Sequence, residues 1–284
     1  MKRALTIVVG GIAVCLFLGG VPVLCQMVPA PAAAQQAPKV ANAPIITAAA
    51  EHPLLPVIRW AEREHPNIAA ITDYTAIMQK QENIGGEVNG VQVLEIKVRH
   101  HPFSVYTKFR FPQELNGQQA IYVQGKNDDK IIGHGVGFRR TFGSQKLEPS
   151  GLLAMRGQKY PITEMGLLNL TDRLLEVGYK DSRFDECVVK YTEGVTLFKN
   201  TEPRECTMIQ VMHPTPRPYF IFYVALIYVD KELNLPIRYE SYEWPRKEGE
   251  KPKLIEVYEY RNLKLNVGLT DKDFDPDNPE YAFP

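Results

Sequence analysis

In this 284-residue chain the glycine cluster Gly133-His134-Gly135-Val136-Gly137 is the first place where backbone could cradle a phosphate. Phosphate loops need a Lys-Ser or Lys-Thr pair and a helix whose first amides complete the anion site. Here the glycine spacing differs, Phe138-Arg139-Arg140 follows, and the next segment reads as a strand, so a tight strand bend is the better account. His100-His101 could ligate a metal, yet neighbours on a strand point to opposite faces, and Pro102 favours a turn into the next strand. Gly143-Ser144 lacks the second glycine and the helix of a nucleophile elbow, and Ser104, near His101, falls in mid-strand. Carboxylates gather only as a turn (Asp128-Asp129) or along a surface (Glu240, Glu243). These patterns predict no catalytic set, no metal and no cofactor, and hence a protein that is not an enzyme.

A composition of 44 % hydrophobic and 23 % charged residues is that of a globular chain with enough apolar surface for a sizeable core. Lys+Arg and Asp+Glu balance at 33 each, leaving no field to steer the chain to nucleic acid, which is not an expected partner. Residues 1–25 depart from this picture, because Lys2 and Arg3 precede a charge-free apolar run to about Leu24, the form of an export signal. Ala32-Ala33-Ala34 offers a cleavage site, after which the net charge would be −2, while the run is also nearly long enough to remain as an anchor. Both outcomes place the protein outside the cytoplasm, in the periplasm or cell envelope. Residues 35–53 are rich in Ala, Pro and Gln and read as a linker. Beyond them only Cys187 and Cys206 remain, on segments that read as adjacent strands, and the expectation is a disulfide.

Around these residues the chain alternates as strands do. Residues 219–229 are all apolar or aromatic, and the turn Asp230-Lys231-Glu232-Leu233-Asn234 leads into a second strand over 235–244. Strands are further predicted over 71–81, 91–99, 103–111, 120–124, 130–137, 139–147, 186–191, 195–198, 204–212 and 253–265. A helix is predicted from Leu54 to about Ile68, and another, capped at Thr163, to about Tyr179 with Leu167, Leu170, Leu174 and Val177 on one face. The fold class that follows is α+β, one long curled antiparallel sheet with a few helices covering its concave face, in a single domain over residues 54–284.

Two resemblances sharpen that reading. The hairpin Val229-Asp230-Lys231-Glu232-Leu233-Asn234-Leu235-Pro236-Ile237-Arg238-Tyr239, followed by Tyr258-Glu259-Tyr260-Arg261-Asn262-Leu263-Lys264-Leu265-Asn266, resembles the outer-membrane lipoprotein-sorting carriers of the LolA type. The stretches Arg99-His100-His101-Pro102-Phe103-Ser104-Val105-Tyr106, Tyr160-Pro161-Ile162-Thr163-Glu164-Met165-Gly166 and Asn278-Pro279-Glu280-Tyr281-Ala282-Phe283-Pro284 resemble the Domain of Unknown Function 1571 family of exported bacterial proteins. The resemblance implies a half-barrel closed by helices over an apolar cavity that could hold an acyl chain.

The apolar residues expected to line such a cavity are Phe103, Val105, Phe109, Ile121, Val123, Leu167, Leu170, Leu174, Phe220, Phe222 and Leu226. Periodicity alone does not separate a lined cavity from a filled core. The expected partner is a hydrophobic ligand or lipoprotein acyl chain, with membrane contact either transient or through an uncleaved N-terminal segment. The alternative is an envelope sensor or interaction module of the same fold that binds a partner protein.

Overall fold

Alternation in sequence becomes alternation in burial. In β1 (Asp73–Ile84) the side chains of Tyr74, Ala76, Met78, Lys80 and Glu82 are buried, while most of those between are half-exposed. The same period runs through β3 (Gln92–Arg99), where Gln92, Leu94, Ile96 and Val98 point inward. The computed structural model describes residues 51–281 and 283–284, so the expected export segment and most of the expected linker lie outside the described residues.

The remaining elements are α1 (Leu55–Ala69), β2 (Glu87–Val88), β4 (Ser104–Phe111), β5 (Gln119–Val123), β6 (Ile131–His134), β7 (Gln145–Leu147), α2 (Leu167–Asp181), β8 (Val188–Leu197), β9 (Arg204–Met212), β10 (Val224–Asp230), β11 (Pro236–Tyr242) and β12 (Leu254–Leu265). They form one open antiparallel sheet in the order β7-β6-β5-β4-β3-β1-β12-β11-β10-β9-β8, with β2 folded back onto β1. Every pairing on this path joins sequence neighbours except β1 with β12 and β1 with β3, the latter separated only by the short β2. At the centre β1 meets β12, with Met78 opposite Tyr260, Lys80 opposite Tyr258 and Glu82 opposite Glu256. The curled, half-barrel sheet of an α+β domain, with α1 and α2 over its concave face, is thus what the alternation predicts.

Several local expectations need correcting. The strand expected over 139–147 is reduced to β7, because a 3-10 turn, Gly137–Phe142, takes up its first half. The two strands expected at 186–191 and 195–198 are one strand, β8, with a bulge between Thr192 and Val195. The second helix starts after Thr163, which lies in its own short 3-10 turn, because Gly166 breaks the run at φ +117°. A Cβ there would stand 2.9 Å from the Tyr74 hydroxyl, so glycine is needed for close approach as well as for backbone conformation.

The expected disulfide does not form: Cys187 and Cys206 are both buried free thiols. Cys206 pairs with Val195, whereas Cys187 precedes Val188, which pairs with Met212 at the other end of the same two strands. The hairpin register therefore separates the sulfurs by most of a strand's length, far beyond bridging distance.

The C-terminal tail covers the part of the opposite face formed by β4 and β5. Phe274, Tyr281 and Phe283 pack with Tyr106, Ile121 and Val123, and the Tyr281 ring stacks on Tyr106 at 4.1 Å. Lys97 fixes the tail through Asp273 at 2.7 Å and Arg99 through Asp271 at 2.9 Å.

The helix start is tied to the sheet by one hydrogen bond. The Leu167 amide donates to the buried Tyr74 hydroxyl at 2.9 Å, satisfying an N-terminal group that no side chain of the helix caps. Replacing Tyr74 with Phe leaves that amide unpartnered and is expected to cost about 1–3 kcal/mol in urea unfolding; an unchanged midpoint would show that the bond contributes nothing.

Candidate functional site

Between the concave face and the two helices lies a cavity of about 1230 Å³. Its floor includes Met78, Leu94 and Phe109 from three adjacent strands and Ala225 and Ile227 from β10, all on the buried parity of their strands. Both helices put an apolar stripe over it, Leu54, Ile58 and Ala61 at α1 and Leu170, Leu174 and Val177 on α2, and Asn169, Asp172, Arg173 and Glu176 of α2 border the cavity as well. Two helices of 15 residues are too narrow to fill the hollow of an eleven-strand path, and the space between them and the floor stays open.

Of the eleven expected lining residues, Phe109, Leu170, Leu174 and Phe222 line this cavity. Val105 and Leu167 are fully buried in the packed core beside it. Phe103 borders a separate space of about 30 Å³ with Val98, His100 and Met165. Phe220 is taken up by a ring stack on His213 at 3.8 Å. Ile121 and Val123 lie on the other face, under the tail, since Ile121 pairs with Tyr106. Leu226 is also on the other face, alternating with Ala225 and Ile227, which line the cavity.

The cavity also contains charged and polar groups that alternation places on the buried side of β1 and β12. Lys80 and Glu82 are 4 % and 1 % exposed and pair at 3.0 Å. Tyr258 donates its hydroxyl to Glu82 at 2.5 Å, Lys80 also reaches Gln158, and the Lys159 amide donates to Glu82 at 3.3 Å. Lys159 Nζ lies 2.8 Å from Glu256, and the Tyr160 ring tilts against Tyr258 at 6.3 Å. Residues 158–160 thus strap the cavity through a balanced cluster of two cations and two carboxylates. Burial lowers the Lys80 ammonium below the usual lysine range and pushes the Tyr258 phenol up, favouring the neutral form of each, and the Glu82 carboxylate beside Lys80 opposes that shift. A cluster this well paired can hold a polar group at the inner wall; removing one partner would leave a buried charge alone.

At the end of α2, Asp181 Oδ2 stands 3.4 Å from His213 Nε2, with both side chains buried. His213 Nδ1 lies 3.2 Å from the Phe222 carbonyl, so it carries the proton and leaves Nε2 as acceptor. Burial pushes Asp181 up to about 6 and holds His213 below its ordinary value. Burial, reinforced by the Asp181 charge, pushes the Cys187 thiol up to about 12, the reverse of what a nucleophilic cysteine needs. Among the described residues no group of three or more His, Cys, Asp or Glu side chains converges as metal ligands.

The folded pKa of Asp181 lies above its ordinary 3.8, so the stability tied to its neutral form is complete below that value and lost as pH rises to about 6. Asp181→Asn keeps a donor facing His213 without the charge. It is expected to match the wild type near pH 4 and to exceed it by about 1–3 kcal/mol near pH 8 in urea unfolding; equal stability at both values would contradict the assignment.

The residues that build this site lie inside a stretch with known relatives. The sequence profile of "Protein of unknown function (DUF1571)" matches residues 71–283. No curated protein matches the chain. Among solved structures, it is similar to a DUF1329 family protein from Desulfovibrio piger at 14% identity, covering 78% of this chain and 97% of that one, with a TM-score of 0.37. The lipoprotein LppX of Mycobacterium tuberculosis aligns at 12% identity over 78% of this chain and 99% of its own, with a TM-score of 0.40. A LolA superfamily protein from Nitrosomonas europaea aligns at 10% identity over 76% and 97%, with a TM-score of 0.31. With its motifs, strands and cavity floor all inside the matched residues, the chain belongs to the DUF1571 family.

Proposed function

We propose that this protein is a non-enzymatic carrier or binder of a hydrophobic ligand, a lipid or acyl chain, held in the cavity between sheet and helices. The observation that supports it is the cavity itself, larger than the roughly 300–1,000 Å³ of most small-molecule sites. Protein interiors pack like organic crystals, and a void costs about 24 cal/mol per Å³. An apolar lining this extensive, left to water, gives up contacts that a hydrophobic guest would supply, while water fills the space at the polar cluster. A sixteen-carbon chain buried at ~0.8 kcal/mol per CH₂ would gain about 12 kcal/mol before the entropy of association, ample for capture.

The domain that does this spans residues 54–284, and the protein acts after export, in the periplasm or envelope. The charge-then-apolar start of the chain supports that placement. Among the described residues no helix is long and apolar enough to cross a membrane.

Leu170 lines the cavity from α2 and is the position at which carriage and simple packing part ways. Leu170→Trp is expected to fill ligand space, weakening uptake of a fluorescent fatty acid with the melting temperature unchanged. In a filled core the same change would lower stability by about 1–3 kcal/mol through overpacking; that result, in a protein that takes up no fatty acid, would remove the carrier reading. Separately, residues 1–40 fused to a reporter active only outside the cytoplasm are expected to give signal. Activity confined to the cytoplasm would contradict the envelope placement.

A further inference from the structure

The four most exposed large apolar side chains among the described residues all lie between residues 138 and 153: Leu152 at 93%, Phe138 at 78%, Leu153 at 73% and Phe142 at 62%. They occupy two segments that flank β7, and both reach the same opening, since Phe142 and Leu153 border the cavity. The first segment is the 3-10 turn Gly137–Phe142, where Phe138 and Phe142 meet edge to face at 5.5 Å. Its entry depends on Gly135, where a Cβ would stand 2.5 Å from that of Arg139, so the turn folds back tightly and presents both rings to solvent. Soluble surfaces rarely gather apolar side chains in this way without a partner.

The charge around these residues selects the partner. A chain with no net charge places Arg139, Arg140, Lys146 and Arg156 within residues 137–157, against the single acid Glu148. Glu148 is met by Lys130 at 3.3 Å, and among the described residues none of the four cations pairs with a carboxylate. Phe and Leu ringed by Arg and Lys is the chemistry of a surface that enters the headgroup layer of an anionic bilayer, rings among the acyl ends and cations among the phosphates. We infer that residues 138–153 dock this protein reversibly on an anionic lipid surface, with the cavity mouth facing the bilayer. This goes beyond carriage and stands on different observations, exposure and charge at the rim instead of volume within.

The test places a tryptophan at the rim of the full chain. Phe142→Trp is mixed with vesicles of phosphatidylglycerol or of phosphatidylcholine whose acyl chains are brominated, and the wild-type signal of Trp60 and Trp244 is subtracted. The expected result is a blue shift and loss of about half the added emission with phosphatidylglycerol only, weakened by salt. Leu152→Trp is expected to repeat it. Charge reversal at Arg139 and Arg140 in the Phe142→Trp background is expected to weaken partitioning about tenfold. Tyr191→Trp, on the edge strand β8 at the far side of the sheet, is expected to remain unquenched. No quenching at either rim position would overturn the proposal and leave the patch as a protein-docking surface. Equal quenching by phosphatidylcholine, or at Tyr191→Trp, would overturn it as well. Fatty-acid uptake measured on the same variants separates the two readings: uptake without quenching removes docking alone, and quenching without uptake removes carriage alone.

Discussion

A mismatch of widths governs this molecule. Eleven strands in one path span about 48 Å at the spacing of hydrogen-bonded neighbours, whereas each 15-residue helix is about 22 Å long. A sheet with so much apolar area on one face must curl, and two short helices can roof only part of the hollow. The cavity is therefore a consequence of the architecture. On the other face the tail carrying Phe274, Tyr281 and Phe283 packs directly on Tyr106, Ile121 and Val123.

Polar groups at the centre of the sheet set what the hollow can accept. Because β1 pairs with β12, Lys80, Glu82, Glu256 and Tyr258 meet on the inner face, and Lys159 and Gln158 reach across to them. The apolar helix stripes and the paired cluster give the cavity two chemistries, an oily side and a wall able to face a polar end. Asp181, His213 and Cys187 add a second buried polar group at the end of α2, but burial drives each toward its neutral form, which suits a structural contact and not a nucleophile.

The backbone was readable where alternation had one meaning. Strand β9 occupies the very residues 204–212 that its pattern predicts, and β4 and β12 differ from expectation by a residue at one end. Parity failed where both faces are apolar: Leu226 sits in an unbroken apolar run, so nothing in the sequence said that Ala225 and Ile227 face the cavity and Leu226 does not. Ile121 and Val123 were misplaced for a related reason, since a tail far along the chain covers their face. The cysteines were misjudged because strand adjacency was legible while hairpin register was not. Lys80 and Glu82 were missed although a signal existed: they share the parity of Tyr74, Ala76 and Met78, and two charges on a buried parity mark either an ion pair or a polar wall.

What the cavity contains in the cell is the decisive question, and native mass spectrometry of the full-length protein, purified gently from its host, answers it most directly. Carriage requires a species heavier than the polypeptide, whose extra mass is released into organic solvent and identified there as a lipid or acyl compound. A protein that flies at its bare mass, and that still gains none after incubation with fatty acids or phospholipids, would contradict the account.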